Sequence, residues 1–282
     1  MVLLKYRGKS WTPGRVIFQI TIVLFGLIWS YPLFKMFQKS FYGKGIGNYT
    51  RVLFQADSFM IRKGYNFEIA DFWIYLQNSV LITVSDLVLV LIVVSLGAYA
   101  FSKMDFPLKN VLYIMTLIGM MIPGVSFIVP YFAILKGFGI IDNPIGLVGP
   151  HVAGSIPMSM MLIKNGMDSV NNEMIEAAII DGCTRRRIFL QICVPLAKPA
   201  IGTAAIFVFN GSWNDYLLPL VLLNSPESMT MTLLPQRFTA FGGGTNMGVI
   251  FACLVLISIP IFVLYLFCQR YMIKGLALGS IK

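Results

Sequence analysis

Charge is what this sequence has least of. Asp, Glu, Lys and Arg make up 12% of its 282 residues, about half the share of an ordinary soluble domain. Histidine occurs once, as His151 beside Pro150. It has no ligand cluster around it, which suits a packing or polar contact better than catalysis. The four cysteines, Cys183, Cys193, Cys253 and Cys268, show no C-x-x-C spacing, so they read as small buried hydrophobes and not as a metal site. There is no Ser/His/Asp set, no pair of catalytic carboxylates and no G-x4-G-K-[ST] phosphate loop. These absences argue against an enzyme, and the chain cannot hydrolyse ATP alone.

Hydrophobic residues take the place of charge, at 57% of the chain. Several apolar runs approach or exceed the roughly 20 residues that cross a bilayer. Six spans fit: Val16–Phe34, Leu76–Phe101, Val111–Leu135, Ile145–Ile163, Ile201–Leu223 and Val249–Phe267. All are expected to be helical, because lipid offers backbone groups no outside partner. The expectation is an all-α integral membrane protein forming a single domain over residues 1–282. The first run is followed by Tyr31, Pro32 and Leu33 and lacks a small-residue exit. It therefore reads as a retained span and not a cleaved leader.

The formal net charge is +10. Basic loops facing the cytoplasm explain it more simply than nucleic acid does, and no nucleic-acid partner is expected. Counting Lys and Arg by segment favours cytoplasmic N- and C-termini. The segment containing Arg185, Arg186 and Arg187 then faces the cytoplasm too.

Several spans are interrupted. The third contains Pro123, Gly124 and Pro130, the fourth Pro150 and Pro157, the fifth Pro219. Proline removes a helical bond and bends the axis, so these spans are expected to line a path or act as hinges. Polar residues on the second and fifth spans are candidates for that path: Asn78, Asp86, Asn210, Trp213, Asn214, Asp215 and Tyr216. A buried carboxylate such as Asp86 costs about 2.5–3.5 kcal/mol on insertion scales. It must face the bundle interior or water, as a structural hydrogen-bond partner or as part of a pathway. Trp213 and Tyr216 suit either stacking on a sugar or an interfacial aromatic belt.

The densest interruption is Glu176–Pro199, EAAIIDGCTRRRIFLQICVPLAKP. Asn171 or Asn172 can cap a short amphipathic helix, and Glu173 and Glu176 suit its positive end. Gly182 suits the left-handed residue that ends it. Ala178 and Gly182 lie four apart and lack bulk, a face that another surface can approach. A second short helix follows and is expected to stop at Pro195. The element reads either as a docking loop for a soluble partner or as an amphipathic hairpin lying on the membrane.

The spacing Glu-Ala-Ala, three residues, Gly, nine residues, Ile-Cys-Val-Pro resembles the loop of permease subunits in ATP-binding cassette carbohydrate importers, of the MalG-like type. That family's pattern is Glu-Ala-Ala-x3-Gly-x9-Ile-x-Leu-Pro. It is met at Glu176, Ala177, Ala178, Gly182, Ile192 and Pro195, with Val194 in place of Leu. The segments GNYTRVL, LQNSVLIT, WNDYLLPLVLL and QRYMIKGLALGSIK are similar to others in these permeases. The resemblance implies the type I importer permease fold, with six transmembrane helices and cytoplasmic coupling helices in a loop at about residues 168–197. It implies ATPase docking through Glu176, Ala177, Ala178, Asp181, Gly182 and Arg185. It implies a flexible tail at about residues 270–282, touching the ATPase through Gly275, Gly279 and Ser280. The implied partners are a second homologous permease, an ATPase dimer that binds ATP and Mg, an extracytoplasmic solute-binding protein, membrane lipid and a carbohydrate. The chain itself would hold no cofactor and would reside in a bacterial or archaeal cell membrane. An ion- or proton-coupled transporter using Asp86 and Asp215, and a membrane scaffold without transport, are the competing readings.

Overall fold

The structure is a computed structural model that describes residues 13–54, 71–239 and 247–280, the side chains of Arg15, Asp71 and residues 270–280 excepted. The described residues form helices and no strand. The order is α1 (Pro13–Ser40), α2 (Gly47–Phe54), α3 (Asp71–Lys103), α4 (Lys109–Ile118), α5 (Ile128–Gly137), α6 (Val148–Asp168), α7 (Asn172–Ile180), α8 (Arg185–Ile188), α9 (Val194–Leu196), α10 (Lys198–Trp213), α11 (Leu217–Leu222), α12 (Leu234–Arg237) and α13 (Met247–Ser280).

Among the described residues four stretches are continuous and apolar enough to cross a bilayer: Val16–Ser40, Phe72–Lys103, Pro144–Asp168 and Met247–Gln269. Two more are bent pairs, Lys109–Met121 with Gly124–Gly137 at 97° and Arg185–Leu196 with Lys198–Leu222 at 75°. The six expected spans thus correspond to four straight stretches, a broken third one over residues 109–137, and a fifth within Lys198–Leu222, whose bent neighbour Arg185–Leu196 belongs to the 168–197 loop.

Each break has a local cause. Ile122 is extended (φ −88°, ψ 123°), because the ring of Pro123 excludes it from helical space. The 75° bend falls at Ala197 (φ −82°, ψ 0°), just ahead of Pro199. A further interruption parts α10 from α11 over residues 214–216, where Pro219 has no N–H to give the carbonyl four residues back. That carbonyl, on Asp215, instead accepts the Thr232 hydroxyl at 2.7 Å. Asp215 Oδ1 accepts from the amides of Leu217 and Leu218 at 3.1 and 3.4 Å, so the same residue caps α11. Pro195 does not stop its helix as expected. A π turn over Phe189–Cys193 precedes it, with the Val194 amide reaching five residues back to Phe189, and the chain stays helical to Leu196. The wider turn changes the register ahead of the proline and keeps the chain helical through it.

Helix α3 shows how the bundle assembles. Ser79, Ile82, Thr83, Asp86, Val90 and Val94 are buried, whereas Val80, Val84, Val88 and Leu96 are exposed, which is the 3.6-residue period of a one-sided helix. The buried face packs on α6 and α10, and α10 packs in turn on α6 and α13. The approach of α6 to α10 is close: a Cβ on Gly166 would lie 2.4 Å from the Cβ of Ala200. One apolar cluster (Val94, Met160, Ile163, Ile188, Ala204) lies toward the 168–197 loop and another (Tyr75, Trp213, Met231, Val249, Cys253) lies toward the opposite end. Helix α1 lies along α13 with its apolar side chains exposed.

The end opposite the 168–197 loop is tied by Asp142, which sits at φ 57° between α5 and α6. Its Oδ1 accepts from the amides of Asn224 and Ser225 at 2.7 and 2.8 Å, and its Oδ2 from the Ser225 hydroxyl. Burial alone would raise this carboxyl. The hydrogen bonds from Ser225 and Asn224 outweigh it and hold the group below the usual carboxylate range. A depressed folded value means that this contribution is fully present above the unfolded value of about 3.9. It is lost as pH falls through the folded value. Hydrogen exchange should therefore find the Asn224 and Ser225 amides protected at neutral pH and increasingly open below about pH 4. Asp142→Ala should open them at neutral pH, weakening the local tie by about 1–2 kcal/mol, while Asp142→Asn keeps one acceptor and loses less.

Candidate functional site

Two arrangements stand out, one at the 168–197 loop and one inside the bundle. In the loop, the Asn171 side chain accepts from the Glu173 amide at 3.0 Å and caps α7. The helix ends at Gly182 with φ +79°. The Gly182 amide returns to the Ile179 carbonyl at 3.0 Å and the Cys183 amide to that of Ala178 at 2.9 Å. These are the paired bonds of a Schellman ending, which requires a left-handed residue. Thr184 Oγ1 then accepts from the Arg187 amide at 3.4 Å and starts α8.

The loop is fixed to the bundle at its base. Lys103, at the end of α3, donates to the Val170 carbonyl at 2.6 Å and to Asn172 Oδ1 at 2.9 Å. Asp168 accepts from Ser102 at 2.6 Å and pairs with Lys164 at 2.7 Å. Ala178 departs from expectation: it is buried in the cluster with Ile188 and Cys193, so its small size serves the fold of α7 on its own chain. Glu176, Ala177, Asp181, Gly182 and Arg185 are exposed. So are Met174, Ile179 and Ile180, the last at 85%. The tip of the loop is therefore an apolar knob with charges of both signs on a clamped base, and exposed apolar groups of this kind mark contact surfaces.

Inside the bundle, three distant residues meet. His151 on α6 lies between two carboxylates, with Nδ1 2.9 Å from Asp86 Oδ2 of α3 and Nε2 2.8 Å from Asp215 Oδ2 after α10. The Ser212 hydroxyl donates to Asp86 Oδ2 at 2.5 Å and lies 3.3 Å from Thr83 Oγ1. The side chains are 0% (Asp86), 8% (His151) and 18% (Asp215) exposed. Sequence reading placed Asp86 inward but did not connect it with His151 or Ser212. The available signal was the need of a buried carboxylate for a partner in a chain with one histidine.

The other expected path residues separate. Asn210 and Asn214 are exposed on one face of α10, with the Asn214 amide 2.7 Å from Asn210 Oδ1. Tyr216 is exposed, and its hydroxyl accepts from Gln236. Trp213 does not share that face. It is 3% exposed, stacks on Phe209 and donates to the Ile257 carbonyl at 3.1 Å, because its large apolar surface fills the contact of α10 with α13. Asn78 donates to the carbonyls of Glu227 and Met229 at 2.8 and 2.9 Å, which commits its amide to holding a loop. Gly275, Gly279 and Ser280 lie on the last turns of α13, whose backbone is helical. Two glycines cost a helix only about 1 kcal/mol each. Their side-chain surroundings lie outside the described residues. Among the described residues no group of His, Cys, Asp and Glu could hold a metal.

Straight and broken apolar helices around a buried polar cluster, with a clamped two-helix loop at one end, define a helical membrane permease domain. The chain belongs to the family described as the binding-protein-dependent transport system inner membrane component, which it matches over residues 93–277. It is an ATP-binding cassette importer permease of the type I fold. It is 31% identical over 212 residues to the diacetylchitobiose uptake system permease protein NgcG of Streptomyces coelicolor, covering 74% of this chain and 69% of that one. It is 32% identical over 206 residues to the maltodextrin transport system permease protein MdxG of Bacillus subtilis, covering 73% and 74%. The fold is shared with a chain in the crystal structure of a bacterial ABC transporter involved in the import of the acidic polysaccharide alginate. That match has a TM-score of 0.75 and 23% identity, over 94% of this chain and 100% of the other.

Proposed function

We propose that this chain is the membrane-spanning subunit of an ATP-driven carbohydrate importer, acting on an oligosaccharide, with N- and C-termini in the cytoplasm. Its 168–197 loop docks on a separate ATPase subunit that holds ATP and Mg. The observation that carries this is the loop itself: α7 is capped at both ends, clamped at its base by Lys103, and exposes Met174, Ile179, Ile180, Glu176 and Asp181 at its tip. Such a knob has no use against lipid, since it mixes carboxylates with apolar groups, but it suits a protein cleft. Closure of the ATPase would push the loop, and the clamp would pass the motion to α3. Substrate is proposed to move past the Asn210, Asn214 and Tyr216 face of α10. That face would close against a second, homologous permease subunit, since exposed amides are poorly placed against hydrocarbon. A solute-binding protein would deliver cargo at the end tied by Asp142. The carbohydrate assignment rests on the sugars named in the relatives.

The test is the assembled complex. Glu176→Lys reverses a charge on the knob without altering the chain's own contacts. It should lower uptake at least about tenfold, the scale of one lost interface hot spot, and leave ATP hydrolysis unresponsive to substrate. Normal uptake by the variant would remove the docking role. Uptake by the purified chain alone in liposomes would replace this reading with an ion-coupled transporter.

A further inference from the structure

The bonding around His151 counts protons. A neutral imidazole has one N–H and one bare nitrogen, and an ionised carboxylate only accepts. Both ring nitrogens here face carboxylate oxygens, at 2.9 and 2.8 Å. With the ring neutral and both carboxylates ionised, one of these contacts would set lone pair against lone pair. The arrangement therefore requires one more proton than those three groups would otherwise hold. In water an imidazole is a stronger base than a carboxylate, and here a carboxylate stands on each side of the ring. Asp86 Oδ1 is buried with no hydrogen-bond partner among the described residues. The Asp86 charge is thus met at Oδ2 alone, by the ring and the Ser212 hydroxyl.

We propose that Asp86, His151 and Asp215 form a proton-binding site inside the membrane domain, and that the bound proton latches the break after α10 to α3 and α6. The groups facing the ring are known from each side. Helix α3 contributes Asp86 and the Thr83 hydroxyl, α10 the Ser212 hydroxyl, and the break Asp215, whose carbonyl takes Thr232. Helix α13, packed on α10, carries no Asp, Glu, Lys, Arg or His between Met247 and Gln269. Among the described residues no lysine or arginine pairs with Asp86, His151 or Asp215. The proton is retained and not carried across: it turns two like charges, one on α3 and one at the break after α10, into a chain bonded through the imidazole of α6. Loss of the proton leaves one nitrogen facing a carboxylate without a hydrogen between them, and the break is then free to move. This geometry depends on neither the cargo nor the ATPase.

Because the chain has one histidine, its imidazole can be observed without ambiguity. The full chain, labelled with 15N-histidine and carrying no polyhistidine tag, would be placed in lipid nanodiscs at about pH 7.5, where histidine protonation is set by its surroundings. Nitrogen spectra should show hydrogen on both ring positions. A doubly substituted chain, Asp86→Asn with Asp215→Asn, should show one protonated and one bare nitrogen. Hydrogen exchange over residues 213–218 should then rise about tenfold in that variant, with α13 unchanged, as for a local opening. A bare ring nitrogen in the native chain would overturn the proton site. Unchanged exchange at residues 213–218 would overturn the latch.

Discussion

Replacing His151 with alanine is expected to remove a large share of the chain's stability. The change deletes the partner of two carboxylates at once, and Asp86 has no solvent to turn to. Removing one side of a buried ion pair typically costs about 3–5 kcal/mol, against a total stability of about 5–15 kcal/mol for a folded domain. The purified chain in detergent should unfold at a much lower temperature, and less of it should reach the membrane. Adding Asp86→Asn to His151→Ala should recover part of the loss, because the second change removes the charge that the first one stranded. The double-mutant cycle gives the coupling directly. Additive losses would show that the two residues do not act as a pair.

The second large effect is expected at Gly182, where the consequence should be functional. Its φ of +79° is a conformation that β-branched residues avoid, and a Cβ there meets nothing within 4 Å among the described residues. Gly182→Val should distort the end of α7, costing about 1–2 kcal/mol locally, and uptake by the complex should fall roughly 5- to 30-fold, the factor corresponding to that energy. The membrane bundle should stay folded. A graded series identifies the cause. If the backbone alone matters, Gly182→Asn should be mildest, since asparagine tolerates left-handed geometry, with alanine intermediate and valine worst. If the docked ATPase needs a bare surface at this point, all three should fail alike. Uptake at native levels in the valine variant would end the case for either role.

The parts of this molecule legible from sequence were those fixed locally. The Asn171 cap and the Gly182 ending follow from neighbours within six residues, and the spans follow from composition. Asp86 faced inward because a carboxylate has nowhere else to go in lipid. What stayed hidden depended on which helices meet. His151 and Asp86 are 65 residues apart, and nothing in their neighbourhoods states that α3 lies on α6. Trp213 next to Asn214 reads as one polar-aromatic group, yet the helix turns about 100° between them, which sends one into α13 and leaves the other open. Ala178 reads from sequence as a partner contact, because the packing of α7 against Ile188 is a tertiary event. The proline effects were half legible: a break was clear, but not the π turn that carries the chain through Pro195.

Helix α3 has 33 residues and no proline, about 50 Å of uninterrupted rise. Asn78 and Ser79 grip the loop at one end, Asp86 joins the histidine midway, and Lys103 holds the loop base at the other. A rod so fastened cannot absorb a displacement within its own length. A push delivered at Lys103 has to be felt at Asn78, so events on the two faces of the membrane are read off a single stiff gauge.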